Sequence, residues 1–160
     1  MIAPSDAPKL VTGLHALSEN TRFYRFFFLK KVFTSDELRT LTNCDGISQC
    51  AMVAELPDAA NRPLIAVARW IRDASEPTTA DVAFVTRDDW QKRGVGVALV
   101  RTLADNALQR GITRFRAQTL WGNLAAIKLL ETIGTRKRRR PIASGVAELV
   151  YELRSNQGDI

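Results

Sequence analysis

Apolar positions change their period several times along the chain, and each change marks an element. Asp81 to Thr86 is a β-branched and aromatic run that predicts a strand. After a charged loop, Val95, Leu99, Leu103 and Ala107, with Val100 and Ala104 beside them, fall at helical spacing as far as Arg110. Arg114 to Thr119 predicts the next strand, and Leu124 to Ile133 a helix that Asn123 caps at its start and Gly134 at its end. Upstream, Pro4-Ser5-Asp6 followed by Leu10, Leu14 and Leu17 predicts a capped helix from Asp6 to Leu17. A second short helix begins at Ser18, with Phe23, Phe26 and Phe27 at spacings that suit a core, and Ser35-Asp36-Glu37 caps a third through Leu41. Gln49 to Glu55 and Leu64 to Arg72 are strands joined by the polar turn Pro57 to Pro63, an antiparallel hairpin leading into the strand at Asp81. Thr135 to Arg139 and Val146 to Glu152 form a second hairpin, and Asn156 to Ile160 reads as a frayed tail. With no repeat, low-complexity tract or linker, the expectation is one α/β domain spanning residues 1–160.

The chemistry gathers where the strand at Asp81 hands over to the long helix. Gly94 and Gly96 have no Cβ, so the amides opening that helix can approach a ligand closely. Those amides and the helix dipole favour an anion, and the expected ligand is a phosphate. A P-loop would need Lys and then Ser or Thr after its last glycine, where this chain has Val97 and Ala98. A dinucleotide fingerprint would need a third glycine where Leu99 stands and a tight strand-to-helix turn where a long loop intervenes. Taken alone, Gly-Val-Gly is better read as the start of an ordinary helix.

The wider pattern is more specific. Gln91-Lys92-Arg93-Gly94-Val95-Gly96 resembles the Gln/Arg-x-x-Gly-x-Gly pyrophosphate loop of the GNAT acetyltransferase superfamily, and the order strand, loop, long helix, strand, Asn123, helix is that of its coenzyme A core. TRFYRFF, SDELRTLTN, AMVAE, VARWIRD, ADVAFV, GITRF and NLAAIKLLETIG are similar to the catalytic domain of Pat-type bacterial protein lysine acetyltransferases, over nearly the whole chain after about residue 10.

That resemblance implies an α/β (α+β) acetyltransferase fold: a mixed, mostly antiparallel sheet with flanking helices, whose central strands splay to admit coenzyme A. The family's first strand is short or absent here, since only Met1-Ile2-Ala3 precedes the first helix. The sheet edge this leaves is either open or covered by another molecule, and a homodimer is one way to cover it. By the same resemblance acetyl-CoA is the co-substrate, with no metal. Phe84, Val85, Thr86, Gln91, Lys92, Arg93, Gly94, Val95, Gly96 and Asn123 are its binding residues, and Tyr24 and Arg25 wall the acceptor groove.

The catalytic candidate is Asp81, at the position of the family's glutamate in Glu-x-x-Phe, matched by Asp81-Val82-Ala83-Phe84. An amine acceptor with a pKa of about 10.4 arrives protonated, and a carboxylate can remove that proton directly or through water. Aspartate reaches roughly 1.5 Å less far than glutamate. Alternatively, Asp81 accepts hydrogen bonds from the loop Glu76 to Thr79. The oxyanion donor falls on a backbone N–H near Val85. The tyrosine that many relatives place on the last helix is Leu130 here, and where Pat-type domains show Asn-Val-Asp-Tyr this chain has Asn43-Cys44-Asp45-Gly46.

Composition narrows the partners. A net charge of +6 and a pI near 9.8 imply an anionic partner, which coenzyme A or nucleic acid would satisfy. Arg136 to Arg140 reads mostly as a solvated hairpin edge. The aromatic cluster at Phe23 to Phe28 reads as core in preference to a base-stacking surface. Cys44, Cys50 and the lone His15 make poor metal ligands and no disulfide framework or hydrolytic triad. No run approaches the roughly 20 apolar residues that span a bilayer, and a cytoplasmic location is expected. The favoured function is direct transfer of acetyl from acetyl-CoA to a primary amine, by resemblance a protein lysine. A small-molecule amine acetyltransferase and a non-catalytic acyl-CoA sensor or interaction module are the alternatives, and a nucleic-acid-binding domain ranks last.

Overall fold

A computed structural model describes residues 1–155; the expected frayed tail lies outside them. A six-stranded sheet in the order β1-β2-β3-β4-β6-β5 carries the molecule. Its strands are β1 (Gln49–Glu55), β2 (Leu64–Arg72), β3 (Thr79–Thr86), β4 (Arg114–Leu120), β5 (Gly134–Ala143) and β6 (Val146–Leu153). Every neighbouring pair is antiparallel except β3 and β4, which are parallel and joined by the crossover helix α4 (Val95–Leu108). The mixed, mostly antiparallel sheet matches the expectation.

The two sheet faces are covered differently. On one, Val100, Leu103, Ala104 and Ala107 of α4 meet Ala68, Trp70 and Val82, and the cluster continues through Ile112, Phe115, Leu149 and Tyr151. α5 (Leu124–Glu131) adds Ile127 and Leu130. The other face has a smaller core of Ile2, Leu10, Ala51 and Leu64, with Phe33 and Leu38 packed against it. It is built by α1 (Ala7–His15) and α3 (Ser35–Thr42), while α2 (Glu19–Phe26) lies against β3 and β4. The alternation of side chains along β2 thus feeds two cores at once.

Several local expectations are corrected. The first helix opens with a 3₁₀ turn, Pro4–Asp6, before α1 proper, and the Asp6 carboxylate bonds Ala3 N–H (2.9 Å). The cap of α3 is Thr34, one residue earlier than expected: its hydroxyl accepts from Glu37 N–H (3.2 Å) and Glu37 accepts from Thr34 N–H (2.8 Å), a capping box. Phe23 is not core but 44% exposed, because a helix of only eight residues lying on the sheet's rim cannot bury its whole aromatic set. Phe26 instead packs edge-on to Phe33, with ring centroids 6.0 Å apart. Gly134 is not the helix cap but the first residue of β5, where a Cβ would sit 2.5 Å from the Glu152 carbonyl oxygen. Among the described residues no strand precedes the first helix; Ile2 donates its N–H to the Ala51 carbonyl of β1 (2.9 Å).

Candidate functional site

β3 and β4 pair only where Thr79–Asp81 faces Arg114–Arg116; beyond that the strands part. The backbone pattern shows which groups the parting frees. Arg87 N–H bonds Ile65 O and Asp73 N–H bonds Thr79 O, so the odd-numbered residues of β3 exchange hydrogen bonds with β2. The amides of Val82 and Phe84 consequently face the gap, whereas Val85's amide faces β2 and its side chain lines a second cavity on the sheet face that carries α1 and α2. The amide free to face the gap is therefore that of Phe84, one residue before the Val85 expected from the sequence. The gap holds a cavity of about 320 Å³ whose wall includes Asp81, Phe84, Arg116, Thr119, Asn123 and Leu130, with Tyr24, Arg25 and Phe27 of the α2 segment along one side.

The loop after β3 ends at the mouth of α4. Asp88 accepts from Ser18 N–H (2.9 Å), Ser18 Oγ (2.7 Å) and Thr21 Oγ1 (2.7 Å), which fastens the start of α2 to the loop. Gln91 Nε2 donates to the Thr86 carbonyl (3.1 Å) and so holds the loop against the end of β3. Lys92 (φ 58°) and Gly94 (φ 82°) are both left-handed, turning successive amides to one side; the glycine takes this conformation without a Cβ penalty. Gly94 is the N-cap and offers no side-chain oxygen, while Ala98 N–H already bonds Gly94 O (3.0 Å). The N–H groups of Val95, Gly96 and Val97 are thus left without helical acceptors. Gly96 fits closely, its Cβ direction 3.2 Å from Thr86 Oγ1 and 3.5 Å from Leu129. Lys92 and Arg93 add positive charge, Arg93 lying 4.9 Å above the Trp90 ring.

Within the gap Asp81 is bound by Arg116 through both oxygens, Nε to Oδ1 at 2.6 Å and Nη2 to Oδ2 at 3.0 Å. The partner is thus Arg116 of β4, set opposite Asp81 by the strand register, and not the loop Glu76 to Thr79. Arg116 also bonds Asp73 (2.8 Å), and the two carboxylates hold its guanidinium above the usual arginine range. Asn123 caps α5 through Oδ1, which accepts from Ala126 N–H (3.1 Å), so only its Nδ2 is left to meet a ligand. The Thr119 hydroxyl is buried on the cavity wall with no partner among the described residues. Leu130, fully buried, brings no proton donor.

The structure thus places Asp81, Phe84 and Asn123 on one cavity, and Thr86 with Gln91 to Gly96 at the helix mouth, where Thr86 touches Gly96. Arg116 and Thr119 escaped sequence reasoning: in the alternating run RFRAQTL they read as an ordinary strand, with nothing to mark the arginine that would meet Asp81. The basic run of β5 is spent within the sheet edge. Lys137 pairs with Glu152 (2.6 Å), Arg138 and Arg140 share Glu148 (3.0 and 2.8 Å), and Arg139 stacks on Trp121 (3.9 Å). Among the described residues no group of three or more His, Cys, Asp or Glu is placed to hold a metal ion, and no helix is long and apolar enough to cross a membrane.

Comparison with known proteins agrees with this geometry. A family model described as the acetyltransferase (GNAT) family matches residues 17–134. The chain is 32% identical over 133 residues to the acetyltransferase Pat of Mycolicibacterium smegmatis, covering 83% of this chain but only 39% of that protein's length. Among solved structures it is similar to the GNAT domain of S. lividans PAT, with TM-score 0.82, 30% identity and coverage of 95% of this chain and 88% of that one. An acetyltransferase from Salmonella typhimurium, solved with its cofactor acetyl-CoA, superposes with TM-score 0.69 over 97% of this chain and 92% of its own; at 16% identity that likeness is one of fold.

Proposed function

The chain belongs to the acetyltransferase (GNAT) family, and from that premise we propose that it transfers an acetyl group from acetyl-CoA directly to a primary amine, with a protein lysine favoured by the resemblance to Pat-type enzymes. The observation that carries the proposal is the pair of unsatisfied donor sets, at the mouth of α4 and along the parted edge of β3, linked where Gln91 fastens the loop to Thr86 at the end of β3. An extended molecule with an anionic middle and an amide-bearing arm fits both. The amides of Val95, Gly96 and Val97 would hold its pyrophosphate, assisted by Lys92 and Arg93. Backbone groups of Val82 and Phe84, with Asn123 Nδ2 and the unpartnered Thr119 hydroxyl, would take the arm in place of the missing strand pairing.

Acetyl-CoA supplies the activated thioester carbonyl. Phe84 N–H, which faces the gap, would supply the donor for that oxygen's growing charge. Asp81 takes the acceptor's proton through a water, a route that suits its short side chain and its engagement with Arg116. Arg116 orients the carboxylate through its two hydrogen bonds. Leu130 cannot protonate the leaving sulfur, but a thiol's pKa of about 8.5 lets it depart as thiolate.

Coenzyme A binding and thiol release test the proposal. Ligand at a hundred times its Kd stabilises by about 2.7 kcal/mol, or about 5–10 °C in Tm for a chain of this size. Gly94→Val strains a left-handed residue and Gly96→Val drives its side chain toward Thr86 and Leu129, so the double variant should lose that shift. A full coenzyme A shift in the double variant would remove the helix mouth from the site.

A further inference from the structure

The second cavity, about 80 Å³, lies between α1, α2 and the strands β2 and β3. Its wall is apolar apart from four cations, Lys9, Arg25, Arg69 and Arg87, and no carboxylate lines it. Two of the four are neutralised: Lys9 by Asp6 and Glu55, Arg87 by Asp89. Arg25 and Arg69 have no acidic partner among the described residues. Arg69 is only 6% exposed; its Nη2 donates to Gln49 Oε1 (2.9 Å), yet its Nε is buried without any acceptor. Asp45, just after Cys44, forms no ion pair with it and instead accepts from the N–H groups of Ile47, Ser48 and Gln49. Arg25 lies 4.9 Å from the Phe26 ring, and burial together with Arg69 pushes its guanidinium down to about 10.

Two guanidinium groups facing one small apolar space without counter-charge call for an anion from outside the chain. The cavity adjoins the gap, since Arg25 and Ala83 line both. Arg69 is set opposite Ala83 across the β2–β3 ladder, and Asp81 lies two residues further along the same face of β3. That diagonal separates the positions of Arg69 and Asp81 by about 7–8 Å. At about 10–15 Å³ per water-sized group the cavity holds on the order of six such groups, enough for a planar carboxylate and a short apolar body. Arginine's fork matches that planar anion.

We infer that the acyl acceptor carries a carboxylate that docks between Arg25 and Arg69 while its amine points toward Asp81 and the gap. The inference rests on the transferase reading and names the acceptor's chemistry. A free amino acid and a lysine beside an acidic residue in a peptide share that chemistry.

The test uses 6-aminohexanoate against 6-aminohexanamide, and a Glu-Lys against a Gln-Lys dipeptide, both N-acetylated and C-amidated. In 15N-labelled protein saturated with coenzyme A, the acid of at least one pair should move the Arg69 Nε–Hε signal while its neutral partner does not. With acetyl-CoA, that same acid should be acetylated with a kcat/KM at least about tenfold higher. Arg25→Met and Arg69→Met should each bring the ratio close to one, and Arg69→Met, whose position does not line the gap, should leave the coenzyme A thermal shift intact. The pair that shows the preference identifies the source. Equal behaviour of acid and neutral partner in both pairs, with thiol released, overturns the carboxylate site and leaves the transferase reading standing. Acid-selective movement of Arg69 with no thiol released from any acceptor overturns the acceptor role and the transferase reading together. A preference that survives in both methionine variants also refutes the assignment.

Discussion

Replacing Asp81 by asparagine separates what the carboxylate does for the fold from what it does for proton removal. Its two bonds to Arg116 are short, but the Asp81 side chain is 55% exposed. Water therefore screens the pair, whose contribution is about 0.5–1 kcal/mol. Arg116 also keeps its bond to Asp73 at 2.8 Å, so the substitution leaves it one charged partner. For a chain of this size 1 kcal/mol moves Tm by about 2–4 °C, which bounds the expected loss. Removing a general base costs about 10²- to 10⁴-fold in rate, and the lower end applies because the proton passes through a water and not straight to the carboxylate. Thiol release at saturating acetyl-CoA should therefore fall about a hundredfold at pH 7 in Asp81→Asn. For a lysine-like amine the deficit should shrink as pH rises toward about 10, because the free-amine fraction grows roughly tenfold per pH unit. Asp81→Glu keeps the charge and adds reach, and should retain most of the activity. Wild-type kcat/KM in Asp81→Asn at pH 7 would refute the assignment of the base.

Two further outcomes concern the sheet. Gly134→Ala places a methyl group 2.5 Å from the Glu152 carbonyl oxygen, a backbone atom that cannot swing aside, and should cost about 1–3 kcal/mol, read as a lower urea midpoint at unchanged slope; an unshifted midpoint would contradict the close β5–β6 approach. Glu148 is 6% exposed, and its hydrogen bond from Arg140 and the nearby Arg138 hold its pKa below the usual carboxylate value. A depressed folded-state pKa contributes stability that is complete above the unfolded value of about 4.3 and is lost as pH falls through the folded one. Glu148→Gln should therefore lower Tm at pH 7 and by less at pH 3, measured by scanning calorimetry; an equal drop at both would show that packing and not charge is responsible.

Much of the fold was legible in the chain because its elements are written in local periodicity. β1 and β2 have the expected bounds, and the long helix and the last hairpin are within a few residues of theirs. Local signals misled where a residue's purpose lay in a distant partner. Gly134 follows a helix and looks like its cap, but its missing Cβ serves the approach of β6. Phe23 has the spacing of a core residue on a helix too short and too peripheral to bury it.

The site divides in the same way. The glycines at the mouth of α4, the carboxylate at Asp81 and the cap at Asn123 are features of short contiguous stretches, so residue order alone located them. Their environment was settled by strand register. Pairing opposite β2 turns Phe84's amide, and not Val85's, into the gap, and parallel pairing brings Arg116 onto Asp81. Packing of α1 and α2 over β2 encloses Arg25 with Arg69, which are 44 positions apart by their numbers in the chain. Sequence determines which groups are available and the local conformations that offer them. Only the assembled sheet decides which groups face one another and which charges are left without a partner, because those depend on contacts between segments that carry no mark of each other.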